Sequence, residues 1–310
     1  AGRPSAHARA RSAGLNARIA PAMPAGCLPF WYADVLPDVL QIRVCNQPPL
    51  PRNLSPFSFC PVMSTTPGRL LLIPTPLYQP GEAQPWLLEA DRQQVIQLAD
   101  FYVETPKVAR RWLGQLGMAR PIQELAIHPL PAPRDKGPRD RGSPHRNPEA
   151  WLAPLLAGRD AGLLSDAGCP GVADPGALLV AAAHARNIEV VPLVGPSSIL
   201  LGLMASGLNG QQFAFHGYLP SQTEERARSI ARLAQRSKQQ HETELLIETP
   251  YRNQAMAEAL IAHLPEEARL CIATDLTGAG QSIRTHTVRE WRRQPPEMPD
   301  RKPALFLFLA

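Results

Sequence analysis

GLLSDAGCPGVADPGALLVAAAHARNIEVVPLVGPSSILLGLMASG, residues 162–207, decides how the chain is read. The stretch opens within an apolar run of strand length, from Ala161 to Leu164, which breaks into a loop holding Gly168, Pro170, Gly171, Pro175 and Gly176. Such a loop is built from backbone, because glycine accepts positive φ and lets another molecule approach closely. Residues 175–186 then read as a helix, with Pro175 in the first turn and Asp174 placed to cap it. The apolar run from Ile188 to Leu193 is again of strand length. It ends in a second loop of small residues, Gly195-Pro196-Ser197-Ser198, from which another helix departs. Strand, loop, helix, strand, loop, helix is the βαβ order of an α/β domain, whose ligands lie at the carboxyl ends of the strands. Both loops fall at such ends, so one cleft is expected between them.

Upstream, Leu70 to Ile73 reads as a buried strand that stops at Pro74-Thr75-Pro76. A helix from about Pro85 to Leu98, a strand at 101–103 and a helix at 108–116 follow, with Arg110 and Arg111 on a solvated face. Residues 129–148 hold too much Pro and Gly for a helix or strand, and read as a flexible insert. That insert carries Arg134, Lys136, Arg139, Arg141 and Arg146 against two Asp. It is either a solvated loop or a contact for RNA.

Downstream, Ser221-Gln222-Thr223-Glu224 has the form of a capping box ahead of a charged helix reaching about Gln239. The strand 245–247 ends in Glu248-Thr249-Pro250-Tyr251-Arg252, and a helix runs on to Leu264. Residues 270–273, 283–288 and 304–309 read as strands, with a turn at 275–280. No segment repeats, which excludes a solenoid.

The net charge of +5 says little about the folded part, because residues 1–62 hold six Arg against two Asp. A basic pI is then no argument for nucleic-acid binding by the remainder. Residues 1–62 lack any acid before Asp34 and any sustained period, and read as a disordered or non-native extension. A transit peptide, a functional arm and translated sequence upstream of a start at Met63 are the alternatives. No apolar run approaches the ~18 residues of a membrane span, so a protein without membrane contact is expected. There is no G-x-G-x-x-G fingerprint and no P-loop. Five Cys without a C-x-x-C and eight His without paired spacing speak against a metal site. Cys169 sits in the glycine-rich loop with no base legible beside it, and His216 and Tyr218 read as packing residues at a linker.

The segments SDAGCPGVADPG, VVPLVGPSS, MASGL and FHGYLP, in this order and spacing, resemble the tetrapyrrole methylase superfamily of S-adenosylmethionine-dependent methyltransferases. Within it they are most similar to the ribosomal RNA small subunit methyltransferase I branch. The resemblance runs from Met63 to the C-terminus. It implies an α/β fold of two domains, each a mixed sheet with flanking helices, and a cofactor cleft between them. The domains would be 63–216 and 217–310.

The resemblance further implies S-adenosyl-L-methionine as cofactor, held by Pro76, Asp166, Ala167, Gly168, Pro196, Ser197 and Ser198. It implies 2′-O-methylation of a cytidine in small-subunit rRNA by a cytoplasmic homodimer. Methyl transfer from a sulfonium is an in-line displacement that needs positioning more than a nucleophile. Catalytic residues are therefore not fixed by motif, and Glu104, Glu248 and Arg252 are the candidates. Asp166 either orders the loop and reads the donor's polar groups or makes local turn bonds. Ser197 and Ser198 either favour a ligand carboxylate at a helix N-terminus or cap the helix.

The chain departs from the branch at four places. Leu77 to Gly81 stands where the family continues with Gly-Asn, and Cys169 where it has Thr. Glu104-Thr105-Pro106-Lys107 replaces an EDTR-type motif, and Thr274-Asp275-Leu276-Thr277-Gly278 replaces a basic RELTK-like one. These changes leave open another acceptor, small and tetrapyrrole-like, or a protein that binds the donor without turnover.

Overall fold

The computed structural model of the chain describes residues 66–77, 86–130 and 151–310. The expectations for residues 1–62, for Tyr78 to Pro85 and for the basic loop from Arg134 to Arg146 lie outside these residues.

Five short strands form the first sheet: β1 (Leu70–Ile73), β2 (Asp100–Val103), β3 (Ala126–Pro129), β4 (Ala161–Leu164) and β5 (Val190–Pro192). Their order is β3-β2-β4-β1-β5, and every pairing is parallel. Parallel sheets are covered on both faces, which is why β1, β4 and β2 beyond Asp100 are apolar rather than alternating. Leu71, Ile73, Phe101, Val103 and Leu164 pack under α1 (Glu89–Val95) and α2 (Pro106–Leu116). The intervening Leu70, Tyr102 and Leu163 pack on the other face with α3 (Ala153–Leu156) and α4 (Ala177–Ala185).

The second sheet has the order β6-β7-β10-β8-β9, from β6 (Phe213–Phe215), β7 (Thr243–Glu248), β8 (Arg269–Thr274), β9 (Ser282–Thr287) and β10 (Ala304–Leu309). β6 runs parallel to β7, and the other neighbours are antiparallel. Leu246, Phe306, Phe308 and Leu270 bury against α6 (Thr223–Gln240), α7 (Asn253–His263) and α8 (Val288–Arg293). Leu245, Leu305, Leu307 and Cys271 face the opposite way, towards α5 (Ser198–Ser206) and Leu77. The chain thus adopts the expected α/β class with two sheets and flanking helices, but the first sheet is wholly parallel and only the second is mixed. The strand β6 and the helix α5, both before residue 217, pack with the second sheet.

Two caps differ from expectation. Helix α4 begins at Ala177 with Gly176, at φ 131°, in the cap position, so Asp174 does not cap it. Helix α6 has Gln222 at its N-cap and no side-chain cap bond, so Ser221 to Glu224 is not a capping box. Its first turn carries Glu224 and Glu225, whose charges compensate the helix dipole without a cap. The capping box is at α8 instead. There Glu290 N donates to Thr287 Oγ1 at 3.2 Å and Thr287 N donates to Glu290 Oε2 at 2.8 Å. Val288, expected to close a strand, is the first residue of that helix.

Candidate functional site

Three loops leave the carboxyl edge of the first sheet side by side: 74–77 after β1, 165–176 after β4 and 193–197 after β5. The first two are tied by a reciprocal pair of backbone bonds, Thr75 N to Gly168 O at 2.9 Å and Gly168 N to Thr75 O at 3.0 Å. The buried Thr75 hydroxyl donates to Ser165 O at 3.2 Å, and the Ser165 hydroxyl to Gly168 O at 3.2 Å. Gly168 holds φ 80°, in the left-handed region where a side chain is strained. The third loop lies against the first through Gly195, where an added Cβ would fall 2.4 Å from Pro74 Cβ. Cys169 Sγ donates to Pro196 O at 3.5 Å, and burial pushes its thiol pKa up, so it is no thiolate nucleophile.

These loops form one wall of a cleft of about 230 Å³, with Leu77, Ala167, Gly168, Asp174, Ser197 and Ser198 among its lining. The facing wall comes from the second sheet: Phe215, Tyr218, Ile247, Glu248 and Leu305. Of the site residues expected from sequence, Ala167, Gly168, Ser197, Ser198 and Glu248 line the cleft. Pro76 and Pro196 stand beside lining residues in the same loops.

Asp166 and Glu104 do something else. Asp166 Oδ1 accepts from Thr105 N at 3.1 Å, while Asp166 N donates to Glu104 Oε2 at 3.2 Å. Trp112 Nε1 adds a bond to Asp166 O at 3.2 Å. The two carboxylates therefore latch the ends of β2 and β4 to each other, one behind the cleft wall. Arg252 sits behind Glu248, with its Nη2 2.9 Å from Glu248 Oε2 in an ion pair not aligned as a hydrogen bond. The other oxygen, Glu248 Oε1, accepts from Thr249 N at 2.7 Å and Thr249 Oγ1 at 3.1 Å.

Asp174 is the cleft residue that sequence reasoning misassigned. Freed from capping, its carboxyl is pushed up to about 7, first by burial and then by the charges of Glu104 and Asp166, against a hydrogen bond from Ser165. Glu104 is raised as well, chiefly by burial, with the Asp166 charge adding to it. Ser197 caps α5, accepting from Leu200 N at 3.5 Å, so the N-terminus of that helix opens on the cleft at Ser198. The cleft has an end that favours an anion, at α5, and a wall that favours a cation, at Asp174. Small residues between them leave backbone accessible. That combination suits a zwitterionic ligand.

The Asp174 shift has a consequence for stability. Unfolded, the carboxyl loses its proton near the ordinary aspartate value of 3.8, whereas folded it keeps it up to about 7. Between those values the folded state holds the extra proton, so stability falls as pH rises through the window. Asp174→Asn removes the penalty. After discounting for the part of the carboxyl still in water, it is expected to stabilise by about 1–2 kcal/mol at pH 8. At pH 4 the difference should vanish. Thermal denaturation at the two pH values checks it, with an expected rise of ~2–8 °C at the higher one.

Among the described residues, no group of three or more His, Cys, Asp or Glu is placed to hold a metal ion, and no helix is long and apolar enough to cross a membrane. A protein from Synechocystis sp. named ribosomal RNA small subunit methyltransferase I is 38% identical over 133 residues, 43% of this chain and 46% of that protein. One of the same name from Xylella fastidiosa is 32% identical over 171 residues, 55% of this chain and 56% of that protein. The chain thus spans about half the length of these curated relatives. The crystal structure of the methyltransferase CobJ is 17% identical and covers 77% of this chain and 93% of its own, with a TM-score of 0.48. The profile of the family described as Tetrapyrrole (Corrin/Porphyrin) Methylases matches residues 83–291, the span that carries most of both sheets and both walls of the cleft, and the chain belongs to that family.

Proposed function

We propose that the chain is an S-adenosyl-L-methionine-dependent methyltransferase that methylates the 2′-oxygen of a cytidine in small-subunit rRNA. The observation that carries this is the cleft at the carboxyl ends of β1, β4 and β5, with one anion-favouring and one cation-favouring end. The names of the curated relatives support small-subunit rRNA as the acceptor, and the cytidine 2′-oxygen rests on the resemblance of the sequence motifs alone. The residues present fit the donor: Ala167 and Gly168 expose backbone, the N-terminus of α5 at Ser197 and Ser198 suits a carboxylate, and Asp174 suits the cationic groups. Pro76, Pro196 and Asp166 shape the loops behind them.

The donor supplies a methyl group on a sulfonium, open to in-line displacement. The chain's own work is to orient the acceptor oxygen, exclude water and take a proton. Glu248, on the facing wall and only 5% exposed, accepts the proton of the acceptor hydroxyl in this reading. Arg252 fixes that carboxylate from behind. Glu104, turned to the backbone of Asp166, orders the loop and does not touch the reacting atoms. The protein works in this reading as a cytoplasmic homodimer.

A second acceptor class has one observation in its favour. The segment that replaces the branch's basic motif turns its acid inward, where Lys302 Nζ lies 3.1 Å from the buried Asp275. It therefore offers a polyanion neither cation nor repulsion. The deciding experiment incubates the protein with methyl-labelled donor and small ribosomal subunits lacking the modification. Label in a cytidine ribose supports the reading. Label in a metabolite fraction alone moves the acceptor to a small molecule, and donor binding with no transfer to either would leave a protein without turnover.

A further inference from the structure

The backbone on both sides of Asp174 is bent to bring that residue to the cleft. Ala173, just before it, holds φ 63°, a region that residues with a side chain rarely adopt. Two residues beyond it Gly176 holds φ 131°, and a Cβ there would fall 2.8 Å from Leu163 Cδ2. What this loop presents to the cleft is a carboxylate that takes no part in capping α4.

The protein around that carboxylate supplies a hydroxyl and like charges. Ser165 donates a hydrogen bond to it, while Glu104 at the end of β2 and Asp166 after β4 face it with negative charge. The other titratable groups of the described lining are Cys169, Tyr218 and Glu248, and no Lys, Arg or His is among them. The two lining carboxylates differ in one respect. Glu248 has the Arg252 guanidinium 2.9 Å behind it, so the protein itself matches its charge. A partly buried carboxylate ionises only with a partner for its charge, and for Asp174 the open side is the cleft.

We propose that Asp174 reads the sulfonium charge of the methyl donor and so separates the donor from its demethylated product. This rests on the donor reading above and adds to it the residue that sets the preference. The donor's ammonium sits on the carbon that bears its carboxylate and stays with it at the N-terminus of α5, which leaves the sulfonium for Asp174. In the transfer the sulfur–methyl bond breaks with its electron pair going to sulfur. A carbon–oxygen bond forms, and the acceptor's proton passes to Glu248. The sulfur is then a neutral thioether. Asp174 has lost its counter-charge and takes a proton from water, so donor binds to the ionised carboxylate and product leaves from the protonated one.

Calorimetry of the donor and of its demethylated product, with wild type, Asp174→Asn and Asp174→Glu between pH 6 and pH 8, tests this. The amine of either ligand titrates near ~8 with every variant alike, so the quantity read is the affinity of wild type relative to Asp174→Asn. With the Asp174 carboxyl titrating at about 7 in the protein alone, its ionised fraction rises about tenfold over this range. The relative affinity for donor should climb by that factor, and the one for product should stay within about twofold. Asp174→Glu keeps the charge and should restore part of the climb. The contact is stronger before transfer than at the transition state, where the sulfur charge is already fading. Asp174→Asn should therefore raise the donor's KM at pH 8, yet leave the single-turnover rate at saturating donor no lower than wild type. A merely structural role would not produce that split.

A relative donor affinity that stays flat with pH overturns the proposal and leaves the donor site standing. An equal climb for product overturns it too, and puts Asp174 on the ammonium instead. So does a slower single turnover by Asp174→Asn at saturating donor. If neither ligand binds wild type, the donor reading falls and the proposal with it.

Discussion

Glu248→Gln is expected to lower kcat by about 10²–10⁴ while leaving the donor's dissociation constant unchanged, the range for losing a positioned proton acceptor. The substitution keeps the shape and the bond that Oε1 accepts from Thr249 N, but removes the charge that takes the hydroxyl proton. It also leaves the Arg252 guanidinium, whose side chain is only 24% exposed, without its counter-charge. Some loss of thermal stability should accompany it. Arg252→Lys separates the two effects, because a lysine keeps a positive charge beside Glu248 but not the planar fork that fixes its angle. It should cost stability with a much smaller fall in kcat. Single-turnover methylation of ribosomal subunits under saturating donor reads the chemical step directly. A Glu248→Gln enzyme with wild-type kcat would send the search for the proton acceptor elsewhere in the cleft.

The second large effect concerns the first wall. Gly168→Val is expected to weaken donor binding at least a hundredfold by calorimetry. Two costs combine there. The residue holds φ 80°, which a β-branched side chain adopts only under strain of about 1–3 kcal/mol. An added Cβ would also stand 3.2 Å from Leu77 Cδ2, and the methyl groups beyond it would occupy the cleft. Gly171→Ala is the control. Gly171 holds the same φ of 80°, but its added Cβ would meet nothing closer than Ala177 N at 3.9 Å, and it does not line the cleft. That variant should lose stability and keep its affinity. Donor binding retained in Gly168→Val would place the donor away from this loop.

How much of this could be read from the sequence varied with the physics that decides each element. β1 and β10 were legible to the residue, because a continuous apolar run bounded by proline or chain end has few alternatives. The loops after β4 and β5 were legible as a cleft wall from glycine and proline at strand ends, whereas the loop after β1 was tied to them only by the resemblance. The caps were not. Ser221 to Glu224 has the spacing of a capping box, yet Arg226 Nη1 donates to the Ser221 carbonyl at 3.4 Å, and the helix starts one residue later than a Ser221 cap implies. Thr287 to Glu290 forms a true box that β-branched neighbours disguise as strand. Asp174 looked like a cap because spacing carries no information about the Ser165 hydroxyl that bonds it or the Glu104 and Asp166 charges that face it. The second wall was hidden most completely. Phe215, Ile247 and Leu305 read as ordinary strand residues, and only the docking of one sheet on the other makes them a surface.

The strand order of the first sheet also sets a timetable. β1 pairs with β4 and β5 alone, partners that leave the ribosome about 90 and 120 residues later. At ~5–20 residues per second, a four-residue apolar strand waits ~5–20 s for its first hydrogen-bonded neighbour. During that interval its edges are open and its leucines are unburied, a state prone to pairing with the wrong chain. The reciprocal bonds between Thr75 and Gly168 close only after that wait. Until the second strand of the central pair arrives, the nascent chain has secondary structure but no cleft. The length of that exposed interval is set by the rate of synthesis, a dependence that the contacts of the finished sheet do not display.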